Sequence, residues 1–301
     1  MDDHSFSEES KAKLGELADI VGGELERSKD RLLSDAGRQR KIIEAMWYSL
    51  SAGGKRIRPA LTLEFCRVCG GDIKNALPAA CALEMVHTFS LIHDDLPCMD
   101  DDDLRRGKPS CHKAYGEAMA LLAGDALLNL AYEVICQEGE ISAETKLALV
   151  SELSEAVGVS GMIGGQVIDT CFEEVLSEEQ LLEMYGMKTG ALLKAACRMG
   201  CISAGADPEK TEQAGLYAEK LGLAFQIIDD ILDITGDEKL LGKPVGSDAE
   251  EGKYTYAAIA GIERSRAAAS SLTDEALAIL DGFDNNRFLR ELTMYLLKRD
   301  Y

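Results

Sequence analysis

Apolar residues along this chain recur at steps of three and four, and seldom at steps of two. In "LPAACALEMVHTFSLIHDD", Leu77, Cys81 and Met85 fall on one helical stripe, with Val86 and Phe89 beside it. Segments near 40–51, 117–137, 143–169, 178–202, 209–234 and 285–298 read the same way. They are rich in Ala, Leu, Glu, Lys and Met, which are good helix formers, and only 6 prolines interrupt 301 residues. Stop signals sit at Gly53-Gly54, Gly70-Gly71, Pro97, Gly107 with Pro109, Gly205 to Pro208 and Gly236 to Gly246. The pattern predicts an all-α fold of ten or more helices. No linker-like change in composition and no internal repeat divides it, so residues 1–301 read as a single large helical domain.

Charge then narrows the partners. With 53 acids against 32 bases the net charge is −21. Nucleic acid and anionic membrane surfaces, both bound by clustered Lys and Arg, are expected to be excluded. No uninterrupted apolar run approaches the roughly 18–20 residues of a membrane span, so stable membrane insertion is not expected. The start "MDDHSFSEESKAK" has neither a basic nor an apolar signal region. Nine scattered cysteines suit a reducing compartment, so the expected location is cytoplasmic. Cys66 and Cys69 form a lone CxxC with no second pair at metal spacing and read as packed thiols.

Against this background, "HDDLPCMDDDDLRRG" places six aspartates in the ten residues 94–103 and two arginines directly after them. Taken alone, Asp100 to Asp103 read as a solvated loop. A second acid group lies in "FQIIDDILDITGD", where Asp229 and Asp233 share a helical face and Asp230 sits one step round. Its neighbours Phe225, Ile227, Ile228, Ile231, Leu232 and Ile234 are apolar nearly all round, which marks a buried helix whose carboxylates need a partner. Hard oxygen donors without His or Cys suit Mg²⁺, typically held by one or two carboxylates plus substrate phosphates. The two groups could then grip one polyphosphate across a cavity.

The bases are clustered too. "GGKRIRP" packs Lys55, Arg56 and Arg58 behind Gly53 and Gly54, a weak phosphate-binding recipe or simply a basic turn before a helix. Arg105 and Arg106 follow the acid run. Lys188, Lys243 and Lys253 are single lysines that, read alone, are ordinary surface charges. His87 lies about two helical turns before Asp94, on the same face. Gly164-Gly165-Gln166 with Asp169 is open between a functional motif and close helix packing.

Together these residues resemble the short-chain trans-isoprenyl diphosphate synthases, over nearly the whole chain from "GGKRIRP" to the "KRDY" tail. "HDDLPCMDDDDLRRG" is similar to that family's first aspartate-rich motif in its DDxxxxD form, and "DDILD" to the second. "GGQ" with Asp169, "KTG", "FQIIDDILD" and "LGKPVGSD" follow in family order. The resemblance implies a helical homodimer with each subunit's helices around a central active-site cavity. It implies Mg²⁺, usually three ions, held by Asp94, Asp95 and Asp100 on one wall and by Asp229 on the other, with Asp233 and Asp230 nearby. Arg105, Lys188 and Lys243 would bind the allylic diphosphate, with Lys253 in support. Gly54, Lys55, Arg58, His87 and Arg106 would bind isopentenyl diphosphate, and Thr189 and Gln226 would line the reacting carbons. The implied activity is head-to-tail condensation to mainly farnesyl diphosphate (C15). The alternatives are a geranylgeranyl (C20) product, a terpene cyclase or a non-catalytic partner subunit.

Chain length in similar enzymes is set just before the first motif. Here Phe89 and Ser90 stand five and four residues before Asp94. Phe89 lies about 7.5 Å below the motif and about 140° round from it on an ideal helix, while Ser90 is better aligned. The reading of Phe89 as the cavity floor therefore comes from the resemblance and not from the period.

Overall fold

The structure, a computed structural model, describes residues 6–171, 176–235 and 255–297. The chain divides into two compact units that interleave in sequence. One holds Ala12–Leu153 with Met199–Ala206, and the other holds the described parts of Met1–Lys11, Ser154–Arg198 and Asp207–Tyr301. Three of their four boundaries fall inside helices, and the fourth lies in the short connection just before Pro208, which is why no shift in composition marks them.

The N-terminal unit contains most of α1 (Glu8–Ser34), then α2 (Arg40–Leu50), α3 (Ile57–Val68), α4 (Ile73–Asp94), α5 (Cys111–Tyr115), α6 (Glu117–Gln137) and most of α7 (Ala143–Val157). The central helix is α4. It starts at an Asp72 cap, whose side chain accepts from the Lys74 amide. It is buried from Ala76 to Ile92 on nearly every side, and it packs along both α3 and α6. Ala79, Ala80 and Ala82 on α4 and Ala120, Ala123 and Gly124 on α6 keep the side chains small. Phe65, Leu83, Met85, Ile92, Leu127 and Ile135 fill the core between the helices.

A two-stranded hairpin interrupts the helices. β1 (Leu104–Arg105) pairs antiparallel with β2 (Lys108–Pro109), Leu104 opposite Pro109 and Arg105 opposite Lys108. Arg106 and Gly107 turn the chain with φ of 55° and 75°. Two positive φ values in a two-residue loop suit the twist of a tight hairpin. Strands of two residues are too short to alternate, so the apolar pattern did not reveal them.

The C-terminal unit contains α8 (Met162–Cys171), α9 (Glu178–Tyr185), a π-helical turn (Gly186–Gly190), most of α10 (Ala191–Ser203), α11 (Pro208–Thr235), α12 (Tyr256–Ala260), α13 (Ile262–Leu280) and α14 (Arg287–Leu297). Ser177 and Gln180 close a reciprocal cap on α9. α11 packs along α13, and Leu181, Met184, Tyr185, Ile227, Ile231, Tyr256, Ala257 and Ala269 share one core. At its start the chain lies on α14: the Phe6 and Tyr295 rings stack at 4.5 Å, and Ser7 donates to Glu291.

Three expectations need correction. The segment 143–169 is broken between α7 and α8, and 178–202 is two helices joined by the π turn. Helices α1 and α13 carry no strong apolar stripe and went unread; α1 buries only a sparse row, Leu17, Val21 and Leu25. Two segments, Glu117–Gln137 and Ala143–Cys171, are in fact long and apolar enough to cross a membrane. Mean hydropathy tolerates scattered polar residues that an uninterrupted run does not. Within α6, Ala123, Leu127, Ala131 and Val134 are buried against its own unit, and a core helix passes the same test.

Candidate active site

The acid run of the N-terminal unit folds back on itself. α4 ends at Asp94, and the Leu96 amide donates to the His93 carbonyl. Pro97 follows, and the Asp100 amide donates to the Asp94 carbonyl at 2.9 Å. That bond brings the first and last aspartates of the motif together. Asp95 is 2% exposed and receives the Arg105 guanidinium through Nε at 2.9 Å and through a terminal nitrogen; the same nitrogen donates to Asp102 at 2.8 Å. Burial pushes the Asp95 carboxyl up, and the Arg105 hydrogen bond pulls it down without cancelling that rise. Asp101 and Asp103, which the sequence left without a role, face Lys113 at 3.8 and 2.6 Å.

At the hairpin the two arginines diverge. Arg105 turns to the acids, whereas Arg106 donates to the Gly53 carbonyl and lies flat over Gly54. A Cβ on Gly54 would stand 2.8 Å from that guanidinium, and its φ of +122° favours glycine. Arg56 pairs with buried Glu84. Arg58 Nε is buried without a hydrogen-bond partner. Burial lowers the pKa values of Arg58 and Arg106; Glu84 opposes this, and neighbouring arginines reinforce it. His87 is held well below the usual imidazole range, by burial first and then by Arg58, Arg106, Arg56 and Arg105. Arg56, Arg58 and Arg106 thus share one buried carboxylate, beside a neutral imidazole. In a chain at −21, that concentration of positive charge has the chemistry to bind an anion.

The C-terminal unit carries the rest. Lys188 and Thr189 sit in the π turn, an irregularity common at functional sites. Glycine is needed at 165 because a Cβ there would collide with the Lys188 backbone, so "GGQ" is a close-packing device between α8 and the π turn. Lys188 Nζ pairs with Asp169 at 2.5 Å. Thr189 donates to Gln226 Oε1 at 3.2 Å, and Gln226 Nε2 donates to Asp230 at 3.4 Å. Asp230 is 2% exposed and also accepts from the Tyr185 hydroxyl at 2.6 Å and the Tyr256 amide at 2.9 Å. Asp230 therefore orients the helix. Asp229, half-buried, and Asp233, buried, remain the candidate ligands on α11. Neither Tyr185 nor Tyr256 was singled out in the sequence; an aromatic among apolar neighbours reads as core until its hydroxyl finds a partner. Lys243, Lys253 and the "LGKPVGSD" segment lie outside the described residues.

Among the described residues no three acid, thiol or imidazole groups already converge on one metal-sized point. The donor set is nonetheless all carboxylate, which fits Mg²⁺ bound by a few acids and completed by substrate phosphates. Phe89 is 7% exposed on α4, and Ser90 donates to the His87 carbonyl at 3.0 Å.

Two acid groups, a cluster of arginines and a π-helical turn bearing Lys-Thr define a class, and comparison with known proteins agrees. Residues 39–291 match the polyprenyl synthetase family. The chain belongs to that family, among its short-chain trans-isoprenyl diphosphate synthases, and is a prenyltransferase. It is 49% identical over 252 residues to geranylgeranyl pyrophosphate synthase 11, chloroplastic, of Arabidopsis thaliana, covering 82% of this chain and 71% of that one. It is 45% identical to geranylgeranyl pyrophosphate synthase, chloroplastic, of Catharanthus roseus, covering 86% and 74%. Among solved structures, an FPP/GFPP synthase from Zymomonas mobilis matches with a TM-score of 0.85 and 35% identity, covering 96% of this chain and 99% of that one. A geranyltransferase from Legionella pneumophila matches with a TM-score of 0.84 and 33% identity, covering 97% and 98%.

Proposed function

We propose that the protein condenses isopentenyl diphosphate head-to-tail with dimethylallyl and geranyl diphosphates, releasing mainly farnesyl diphosphate. The observation that carries the elongation reading is the bank of Arg56, Arg58 and Arg106 around Glu84, distinct from the acid loop to which Arg105 turns. Ionising one prenyl diphosphate needs one anion site; joining two needs a second for the nucleophile. Phe89 supports the C15 product by placing a bulky ring just before the motif. The names of the plant relatives favour a second reading, a C20 product.

In this mechanism Asp94, Asp95, Asp100, Asp229 and Asp233 would hold the Mg²⁺ on which the family generally depends, three ions by resemblance. Bound Mg²⁺ supplies electrophilic stabilisation to the departing diphosphate. Arg105 and Lys188 add fixed positive charge there, with Lys243 and Lys253 assigned the same task by resemblance. The Thr189 hydroxyl and Gln226 carbonyl present partial negative charge to the allylic cation. Gly54, Lys55, Arg58, His87 and Arg106 hold isopentenyl diphosphate so that its double bond attacks at close range. The proton lost at the end passes to the released diphosphate.

The working unit in this reading is a cytoplasmic homodimer that binds no nucleic acid. Nine cysteines outside any disulfide and the net charge support the setting. Leu121 and Leu122, 46% and 51% exposed on α6, support the dimer as an apolar surface for a second copy. The test is incubation of the pure protein with Mg²⁺ and both five-carbon diphosphates. Allylic diphosphate products support elongation. Hydrocarbons or alcohols would indicate a cyclase, and no turnover without a second kind of chain would indicate a partner subunit.

A further inference from the structure

A ring that ends a cavity limits product length only if it stays in one rotamer. Phe89 packs against a second ring on the same helix. Phe89 and His93 lie four residues apart on α4 and share a face. Their rings meet edge to face, centroids 5.0 Å apart and planes at 82°, a favoured aromatic arrangement. His93 is itself fixed from the other side. Its Nε2 lies 3.0 Å from the Leu121 carbonyl of α6. A carbonyl only accepts, so this nitrogen carries the proton and donates. Asp125 Oδ1 lies 4.0 Å from the same nitrogen. Under the ring is Gly124, where a Cβ would overlap Nε2 and Cδ2. The imidazole thus occupies the space that a side chain at 124 would fill.

We infer that His93 is a positioning residue for product length: seated in the Gly124 gap and tied to Leu121, it buttresses the Phe89 ring against the growing prenyl chain. The inference rests on the elongation reading, in which Phe89 is the floor. It adds that the floor is a unit of two α4 rings and one α6 glycine, and that α6 takes part in selecting the product.

The test is the C20-to-C15 product ratio with Mg²⁺, isopentenyl diphosphate and geranyl diphosphate, for His93→Asn, His93→Phe, Gly124→Ala, Phe89→Ala and the double variant Phe89→Ala/His93→Asn. His93→Asn removes the ring, and the ratio is expected to rise roughly two- to tenfold, the span set by the strength of one aromatic pair. His93→Phe keeps a ring and is expected to stay near the starting ratio. Gly124→Ala displaces the imidazole from α6 and is expected to shift the ratio in the same direction, which gives an independent readout should His93→Asn fold poorly. In the Phe89→Ala background His93→Asn is expected to add nothing, because the ring it positions is gone. An unchanged ratio in both His93→Asn and Gly124→Ala, or a full additional shift in the double variant, overturns the inference. If Phe89→Ala alone leaves the product unchanged, the floor reading itself fails. If Phe89→Ala lengthens the product while the other two do not, only the buttress fails.

Discussion

At the scale of single residues, the basic cluster carries the clearest expectations. Arg58 has a buried Nε without a hydrogen-bond partner, beside Arg106 and Glu84. Arg58→Gln is expected to raise the KM for isopentenyl diphosphate about 10- to 100-fold, as the loss of ~1.5–3 kcal/mol from a charged hydrogen bond implies. The KM for the allylic substrate should move little; equal rises in both would contradict the assignment. His87 is held neutral by burial and by four arginines. The unfolded chain therefore binds more protons below its ordinary value of about 6.5, and stability falls as pH drops through that window toward the lowered folded value. His87→Gln is expected to flatten this acid limb in urea midpoints measured against pH, and an unchanged limb would speak against a neutral imidazole. Residue identity was legible in the sequence and pairing was not. Asp95 and Arg105 are ten positions apart, yet they meet because the loop after α4 folds back on the helix end before Arg105 is reached. No helical period encodes that return.

At the scale of elements, the long helices were readable wherever large apolar residues keep a 3.6-residue period. They were missed where small or sparse residues do the packing, as in α1 and α13. Asp229, Asp230 and Asp233 could be placed on one helix from the sequence, but the separate work of Asp230 depended on Tyr185 and Tyr256 arriving from other elements. "GGQ" stayed ambiguous because glycine gives no sign of what approaches it. The approach is the π turn, so Gly165→Ala is expected to destabilise the protein by about 1–3 kcal/mol through overpacking. It should also lower kcat by displacing Lys188 and Thr189. Denaturant midpoint and turnover, measured together, check both; a variant with native stability and turnover would remove the packing role.

At the scale of the whole molecule, a −21 chain handles anionic substrates by segregating its charges. Carboxylates are gathered where metal is expected, and Arg56, Arg58 and Arg106 are gathered near Glu84, where the proposed function places the second diphosphate. Family membership and reaction class follow from motifs a single sequence displays. Product length does not; in the reading proposed above it turns on the packing of the Phe89 ring against His93 and Gly124, which no motif encodes. If Leu121 and Leu122 face a second copy, sedimentation equilibrium is expected to give twice the mass of the chain, and Leu122→Glu is expected to give one. The central claim is tested most directly by the product length of the unaltered protein beside Phe89→Ala, with isopentenyl and dimethylallyl diphosphates and Mg²⁺, read by mass spectrometry. The expected result is mainly C15 from the former and a shift to C20 or longer from the latter. Mainly C20 from the unaltered protein, with no change in Phe89→Ala, would contradict it.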